Sequence, residues 1–259
     1  MARRRMARET RSGRRPGRRA VLLGGLASLG LFGVQPVHAA KLGSFFEYTV
    51  YSKGRVPPED YKQSVIVALH GFLSAMPNHN YYVLEEAFGA THTVVGFNYD
   101  YLDVARNVEE FDAFYEGFLR SRDVVVVGTS LGGFWADYFA NRIGAKGLIM
   151  VNPVADPAER AAKHLGKHYS KKRDKTVVVT EQTVAAYTAL EPATDSEIEA
   201  LLLLCRDDEV LDFQDAARRY GTRKDTKTVY FDEGGHSLDL ARSDVMPLIR
   251  AYVEARFAA

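Results

Sequence analysis

Features that would assign this 259-residue chain to several common classes of protein are missing from its sequence. The chain holds one cysteine, Cys205, so no disulfide bond can form within it. Cys205 ends an apolar stretch that begins at Leu201, and we interpret it as a buried core thiol rather than a nucleophile. No segment repeats along the sequence, which argues against a repeat architecture.

A net positive charge is also absent outside the first 39 residues. Residues 1–39 hold nine arginines and one glutamate, and their charge of +8 dominates the net charge of +1. The other residues therefore carry about −7, from 25 basic and 32 acidic side chains. This acidic balance argues against general binding of nucleic acid.

A long hydrophobic run is absent as well. The apolar stretch from Ala20 to Val34 is short for a membrane span of about 20 residues. It follows the pair Arg18-Arg19 and precedes Val37-His38-Ala39, a small-residue cleavage pattern. We predict a twin-arginine-like signal peptide over residues 1–39, cleaved after Ala39, and a periplasmic or secreted protein without a stable membrane anchor. The alternative is an anchor that stays uncleaved.

The remaining sequence, in a chain that is 46% hydrophobic, alternates short apolar runs with helical patterns. This alternation predicts one α/β domain, over residues 40–259, with a mostly parallel sheet flanked by helices. The predicted strands are Phe45–Tyr51 (an edge strand), Ser64–Leu69, Thr91–Phe97, Asp123–Val127, Lys146–Val151, Glu199–Cys205 and Thr226–Phe231. The predicted helices are Asn80–Phe88, Val108–Phe118 with Asn107 as its cap, a helix following Gly133, and Val245–Phe257.

One turn between a strand and a helix carries the pattern G-x-S-x-G. Four valines lead into Gly128, and Ser130 and Gly132 follow before a helical pattern begins. In that context the pattern predicts a nucleophile elbow, a sharp turn that exposes a serine hydroxyl. Taken alone, the glycines are also compatible with a turn that is only structural.

A second turn, His70-Gly71-Phe72, ends an early predicted strand. In hydrolase folds such a turn supplies one backbone N–H group of an oxyanion hole, and the residue after the nucleophile supplies the other. We assign these donors to Phe72 and Leu131. The alternative is that the glycine only makes a tight exit from the strand.

An acid and a base complete the predicted catalytic residues. The predicted strand Glu199–Cys205 leads to an acidic run in which we take Asp208 as the acid, and His236 follows two glycines after the last strand. The order serine, acid, histidine is that of α/β-hydrolases. The histidine would take the proton of the Ser130 hydroxyl, and the carboxylate would orient the imidazole. His70 is a rival base, but we expect it beside the oxyanion hole.

Residues 155–196 depart from the rhythm of strands and helices and are predicted to form a cap or lid. The segment is rich in basic residues (Lys163, His164, Lys167, His168, Lys171, Lys172, Arg173 and Lys175). We favour a solvated loop over a surface that attracts an anionic substrate. His164 and His168 have the spacing of a metal pair on a helix, but without a third ligand nearby we predict no metal site. We also expect Tyr99 and Tyr101 to pack on a surface loop, with a place in a pocket as the alternative.

These motifs together resemble the YqiA-like esterase family of bacterial α/β-hydrolases, over roughly Val65 to Val253. The matching stretches are Leu69-His70-Gly71-Phe72, Gly128 to Phe134, Val151-Asn152-Pro153, Asp208 to Asp212 and Gly234-Gly235-His236. The resemblance implies an α/β-hydrolase fold, hydrolysis of carboxylic esters and Asp208 rather than Asp207 as the acid. A leader and the stretch from Lys41 to Lys62 depart from the family, as does Arg206-Asp207 before the acid.

We therefore predict a serine esterase that acts on a small-molecule ester and needs no metal or organic cofactor. An acyltransferase that uses the same acyl-enzyme is one alternative. A binding protein on the same fold, without catalysis, is another.

Overall fold

A computed structural model describes residues 50–53, 58–190 and 196–259. The predicted signal peptide lies outside the described residues, as do residues 45–49 of the first predicted strand and residues 191–195 of the predicted cap. Within the described ranges, no helix is long and apolar enough to cross a membrane.

The described residues form nine strands and seven α-helices. The strands are β1 Val50–Tyr51, β2 Ser64–Leu69, β3 Thr93–Phe97, β4 Asp123–Thr129, β5 Gly147–Val151, β6 Gly166–Ser170, β7 Lys175–Val179, β8 Ala200–Cys205 and β9 Thr226–Phe231. The helices are α1 His79–Phe88, α2 Val104–Phe114, α3 Leu131–Ile143, α4 Pro157–Ala162, α5 Glu181–Thr188, α6 Phe213–Tyr220 and α7 Met246–Ala258. A short π-helical turn, Tyr115–Leu119, continues α2.

The main sheet has the strand order β1-β3-β2-β4-β5-β8-β9. Strand β1 pairs antiparallel with β3 at one edge, and the other neighbours in this sheet are parallel. The α/β class is thus confirmed, as is the edge strand for its described residues, Val50–Tyr51. Because β2, β4, β5, β8 and β9 run in one direction, the turns that follow them all lie at the same edge of the sheet.

The valine-rich strands are buried on both faces because helices cover both sides of the sheet. In β2 and β4, Val65, Val67, Val124 and Val126 pack with the cluster beneath α2 and α3, whereas the residues between them pack with α1 and α7. Each apolar side chain of this size that leaves water contributes about 1.5–3 kcal/mol. The continuous apolar runs therefore hold two layers of helices onto one sheet.

The start of α2 differs from the prediction. Its N-cap is Asp103, whose carboxylate accepts a hydrogen bond from the Arg106 N–H at 3.1 Å, so the predicted cap at Asn107 is wrong. Asn107 lies inside the helix and is buried. Its amide exchanges two hydrogen bonds with the backbone of Asp100, at 2.6 and 2.7 Å, and thereby holds the loop after β3 against the helix.

The chain between β5 and β8 folds into α4, an antiparallel hairpin of β6 and β7, and α5. His164 follows α4, and His168 lies in β6, so the two histidines do not share a helical face. Among the described residues, no group of three or more His, Cys, Asp or Glu side chains is arranged to hold a metal ion.

The two tyrosines in the loop after β3 are buried, so the expected surface packing is wrong. Tyr99 is fully buried and Tyr101 is 1% exposed. The Tyr99 hydroxyl donates a 2.5 Å hydrogen bond to the carbonyl of His70, and Tyr187 of α5 bonds the carbonyl of Tyr101 at 3.0 Å. The loop therefore joins the end of β2 to the segment between β5 and β8.

Candidate active site

Ser130 lies in a strained turn between β4 and α3. Its backbone has φ 58° and ψ −125°, a conformation that side-chain-bearing residues rarely adopt. Neighbouring backbone holds it there, because the Ser130 N–H bonds the carbonyl of Val151 at 2.9 Å and the Val154 N–H bonds the Ser130 carbonyl at 3.1 Å. The turn therefore fixes the direction of the serine hydroxyl.

The glycines of this turn are required by close backbone contacts. A Cβ on Gly128 would lie 2.0 Å from the carbonyl oxygen of Gly132. A Cβ on Gly132 would lie 2.4 Å from the carbonyl oxygen of His70. Larger residues would force the strand and the helix apart, so G-x-S-x-G has a steric reason at both glycines.

A chain of hydrogen bonds connects three side chains from the ends of β4, β8 and β9. The Ser130 Oγ atom lies 2.9 Å from His236 Nε2, and His236 Nδ1 lies 2.8 Å from Asp208 Oδ2 and 3.0 Å from Oδ1. The Asp208 side chain is 1% exposed, and that of His236 is 16% exposed. The structure thus brings the three predicted catalytic side chains together, with His236 in contact with both Ser130 and Asp208.

The environment of Asp208 favours its ionised form. Burial alone would raise the pKa of this carboxyl group, but hydrogen bonds from His236 and from the N–H groups of Leu211 and Val210 outweigh it. These two N–H groups bond Asp208 Oδ1 at 2.9 and 2.8 Å. The net effect lowers the pKa of Asp208, so the carboxylate accepts the imidazole N–H.

The two acids beside Asp208 bind the backbone of the histidine loop. Asp207 accepts hydrogen bonds from the N–H groups of Gly234 and Gly235 at 3.1 and 2.9 Å. Glu209 accepts one from the N–H of His236 at 2.9 Å. The bonds from Gly235 and Gly234 lower the pKa of Asp207. Three consecutive carboxylates therefore hold one loop, two of them through its backbone.

Asn152, at the end of β5, completes this arrangement and was not among the predicted site residues. Its side-chain NH₂ donates to the carbonyl groups of Gly235 and His236 at 3.0 and 3.1 Å, and its oxygen accepts from the Cys205 N–H at 2.8 Å. A polar residue directly after a buried strand was the signal that could have identified it. Asn152 thus joins the histidine loop to the strand that precedes the acidic run.

The turn after β2 is held by the hairpin of β6 and β7. Arg173 donates hydrogen bonds to the carbonyl groups of Ser74 and Tyr99 at 3.1 and 2.7 Å and contacts His70 Nε2 at 3.0 Å. The Ser170 hydroxyl donates to the carbonyl of Leu73 at 2.8 Å. Arg173 is therefore not part of a solvated loop, and the interpretation of the basic segment was wrong for this residue.

His70 is fully buried in this turn and stacks on Tyr99 with ring centroids 4.4 Å apart. Burial lowers its pKa to about 3, opposed by the hydrogen bond to Gly71 and aided by the charge of Arg173. The Arg173 guanidinium can only donate, so Nε2 accepts from it, and Nδ1–H donates to the Gly71 carbonyl at 2.8 Å. The neutral imidazole is thereby occupied on both nitrogens.

A cavity of about 490 Å³ opens above Ser130. The turn residues Gly71 and Phe72 and the helix start at Leu131 are part of its lining. The segment between β5 and β8 also contributes to the lining. The lining residues from that segment are Val154, Pro157, Arg160, Ala161, His164, His168, Val179, Thr183 and Tyr187. Phe72 and Leu131, the predicted oxyanion donors, therefore border the same space as Ser130 and His236.

Three solved structures show where this fold occurs. Est1E from Butyrivibrio proteoclasticus is 14% identical, with a TM-score of 0.60, over 82% of this chain and 93% of that one. Alpha/beta hydrolase domain-containing protein 10 from mouse is 16% identical, with a TM-score of 0.58, over 77% and 91%. A thermophilic esterase from Thermogutta terrifontis is 16% identical, with a TM-score of 0.54, over 74% and 90%. The chain has the α/β-hydrolase fold.

The sequence identifies the family within this fold. A model of the Uncharacterised protein family (UPF0227) matches residues 65–251, so the chain belongs to that family. The resemblance drawn from the motifs is thereby confirmed. No curated protein sequence matches the chain.

The buried His70 predicts a loss of stability in acid. The unfolded chain has a histidine pKa near 6.5 and the folded chain about 3, so below pH 6.5 only the unfolded state takes up this proton. The free energy of unfolding should fall by about 1.4 kcal/mol per pH unit from this group, or about 2 kcal/mol between pH 7.5 and pH 5. Urea unfolding at both pH values measures the loss. His70→Gln should lose less between them, and an equal loss in both proteins would contradict the prediction.

Proposed function

We propose that the protein is a serine hydrolase that cleaves carboxylic esters. The observation that carries the proposal is the continuous chain of hydrogen bonds from Ser130 through His236 to the buried Asp208. A neutral serine hydroxyl is a weak nucleophile, and such a chain is a known means of activating it.

In the proposed reaction, Ser130 Oγ attacks the ester carbonyl while His236 Nε2 takes the hydroxyl proton. Asp208 stabilises the resulting imidazolium through Nδ1. His236 then gives the proton to the departing alcohol, which leaves an acyl group on Ser130. A water molecule, deprotonated by His236, attacks this acyl-enzyme, and the acid departs as the Ser130 hydroxyl regains its proton.

The N–H groups of Leu131 and Phe72 are the proposed donors to the oxyanion. Leu131 begins α3, where the first N–H groups have no acceptor within the helix. The carbonyl of Gly71 accepts from His70 Nδ1 at 2.8 Å and from the Ser74 N–H at 3.2 Å. The Gly71 carbonyl and the Phe72 N–H belong to one planar trans peptide, in which the two groups point in opposite directions. The bonds that fix the carbonyl therefore also fix the direction of the N–H. Arg173 acts on that N–H through His70 and is a positioning residue.

The cavity lining supports a small ester as substrate. Phe72, Tyr101, Val154 and Tyr187 give the space next to Ser130 an apolar, partly aromatic wall. Est1E has been solved with ferulic acid bound, and aryl esters are accordingly reasonable first substrates to test. The proposed chemistry requires no cofactor. From residues 1–39 we further propose that the enzyme acts outside the cytoplasm, after export by the twin-arginine route.

The first test is hydrolysis of p-nitrophenyl acetate and butyrate by the protein and its Ser130→Ala variant. Release of p-nitrophenol should fall by a factor of about 10⁵ or more, because the variant has no nucleophile. Mass spectrometry of the products with an added alcohol separates hydrolysis from acyl transfer. Turnover by Ser130→Ala at the parent's rate would exclude Ser130, and acylated alcohol as the main product would favour the transferase.

The second test compares the neighbouring acids. Asp208→Asn should lower kcat by about a thousandfold or more, because an amide NH₂ facing Nδ1 selects the wrong imidazole tautomer. Asp207→Asn keeps His236 bonded to Asp208 and should cost far less. Steady-state kinetics on p-nitrophenyl butyrate measures both, and the reverse ranking would assign the acid to Asp207.

The third test concerns Arg173, with the exposed Lys172 of the same turn as the matched control. Arg173→Met removes the donor to His70 and should lower kcat about tenfold or more, with a smaller change in KM, because the loss of one oxyanion donor costs a hundredfold or more. It should also weaken a boronic acid inhibitor more than it raises KM. Lys172→Met should change neither quantity, and equal effects of the two substitutions would exclude the positioning role.

A further inference from the structure

Part of the cavity lining from the segment between β5 and β8 is a basic wall. Arg160, at the end of α4, and the two histidines that follow, His164 and His168, all line it. Of the described residues that line this cavity, none is an aspartate or a glutamate. A group that enters the cavity therefore meets the positive charge of Arg160 without a carboxylate in the lining to compete for it.

Arg160 forms no ion pair with any described carboxylate. It also lines a neighbouring groove that contains four acids, but each of those acids has another contact. Glu159 pairs with Lys163 and Asp215 pairs with Arg218. Asp156 and Asp212 accept the N–H groups at the starts of α4 and α6. No described residue accepts a hydrogen bond from the Arg160 guanidinium, so its donors remain available to a ligand.

The two histidines each have one ring nitrogen fixed by a carbonyl group. His164 Nδ1 lies 2.9 Å from the carbonyl oxygen of Arg160, and His168 Nε2 lies 2.7 Å from that of His164. A carbonyl oxygen only accepts, so both of these nitrogens carry hydrogen. His164 Nε2 and His168 Nδ1 have no protein partner among the described residues. When these nitrogens are protonated, both rings donate to an anion.

Phe72 fixes the position of these rings relative to the proposed oxyanion hole. Its ring makes edge contacts with His164 and His168, at centroid distances of 6.2 and 5.6 Å. The histidine rings lie 5.9 Å apart. The basic wall is therefore a packed cluster that is connected to the turn beside Ser130.

We propose that Arg160, His164 and His168 form a subsite for an anionic oxygen group of the substrate, a carboxylate or a phosphate. The inference rests on the proposed function, since it makes the substrate an ester that carries a second, charged group. An arginine fork binds either group through paired hydrogen bonds. The exposed Lys163, Lys167, Lys171 and Lys172 lie outside this wall and have no part in the subsite.

The test uses matched pairs of esters that differ by one charge. One pair is p-nitrophenyl hexanoate and mono-p-nitrophenyl adipate, with the charge on the acyl chain. The other is phenyl hexanoate and 4-carboxyphenyl hexanoate, with the charge on the alcohol. In one of these pairs, kcat/KM for the charged ester should exceed that for the neutral ester about tenfold, and Arg160→Gln should remove most of the ratio.

Lys167→Gln is the matched control because it removes the same charge from an exposed side chain between the two histidines. It should leave the ratio unchanged, whereas His168→Asn, a second variant of the subsite, should lower it. Ratios near one in both pairs of the unaltered protein, or an equal loss in Arg160→Gln and Lys167→Gln, would overturn the subsite.

Calorimetry with adipate, hexyl phosphate and hexanol gives a second readout that needs no turnover. The two anions should bind more tightly than hexanol, and Arg160→Gln should remove the difference; the tighter anion identifies the carboxylate or the phosphate as the preferred group. If none of the esters is cleaved but this difference is present, the proposed function fails and the subsite stands. If neutral esters are cleaved and no difference is present, the subsite fails alone.

Discussion

The close approach of Gly132 to the end of β2 is the contact on which the candidate site depends. A side chain at this position would meet the carbonyl oxygens of His70 and Leu69 at 2.4 and 2.6 Å, so only glycine lets α3 begin directly beside that strand. The same approach brings Gly71 next to Ser130, where an added Cβ would lie 3.2 Å from the serine Cβ. The strained backbone of Ser130, a cost of about 1–3 kcal/mol, persists because the surrounding backbone bonds leave it no alternative.

The loop of residues 234–236 holds the candidate base, His236, in a different way. No regular structure fixes residues 234–236, and side chains from the ends of two strands satisfy their backbone instead. Asp207 and Glu209 accept from the N–H groups, Asn152 donates to the carbonyl groups, and Asp208 bonds the imidazole of His236. Five hydrogen bonds to three consecutive residues therefore favour one loop conformation.

The sequence predicted the elements whose patterns are local. The valine run and G-x-S-x-G located β4, Ser130 and α3, since a buried strand and a tight turn each have a short-range signature. The start of α2 was misplaced, because Asp103 and Asn107 are both residue types that favour caps and only the packing of the Asp100 loop distinguishes them. Tyr99 was assigned to the surface, because its buried contact is with His70, distant in sequence.

The basic segment between residues 163 and 175 shows why charge alone could not be assigned a role. Lys167 and Lys172 remain in solvent, Arg173 turns inward to the turn after β2, and His164 and His168 face the cavity. These three placements depend on the register of the hairpin formed by β6 and β7. No short sequence pattern reveals that register. The segment between β5 and β8 therefore contacts the turn that carries Phe72 and also forms the basic wall of the cavity. A substrate group bound at that wall would lie against His164 and His168, whose rings contact Phe72.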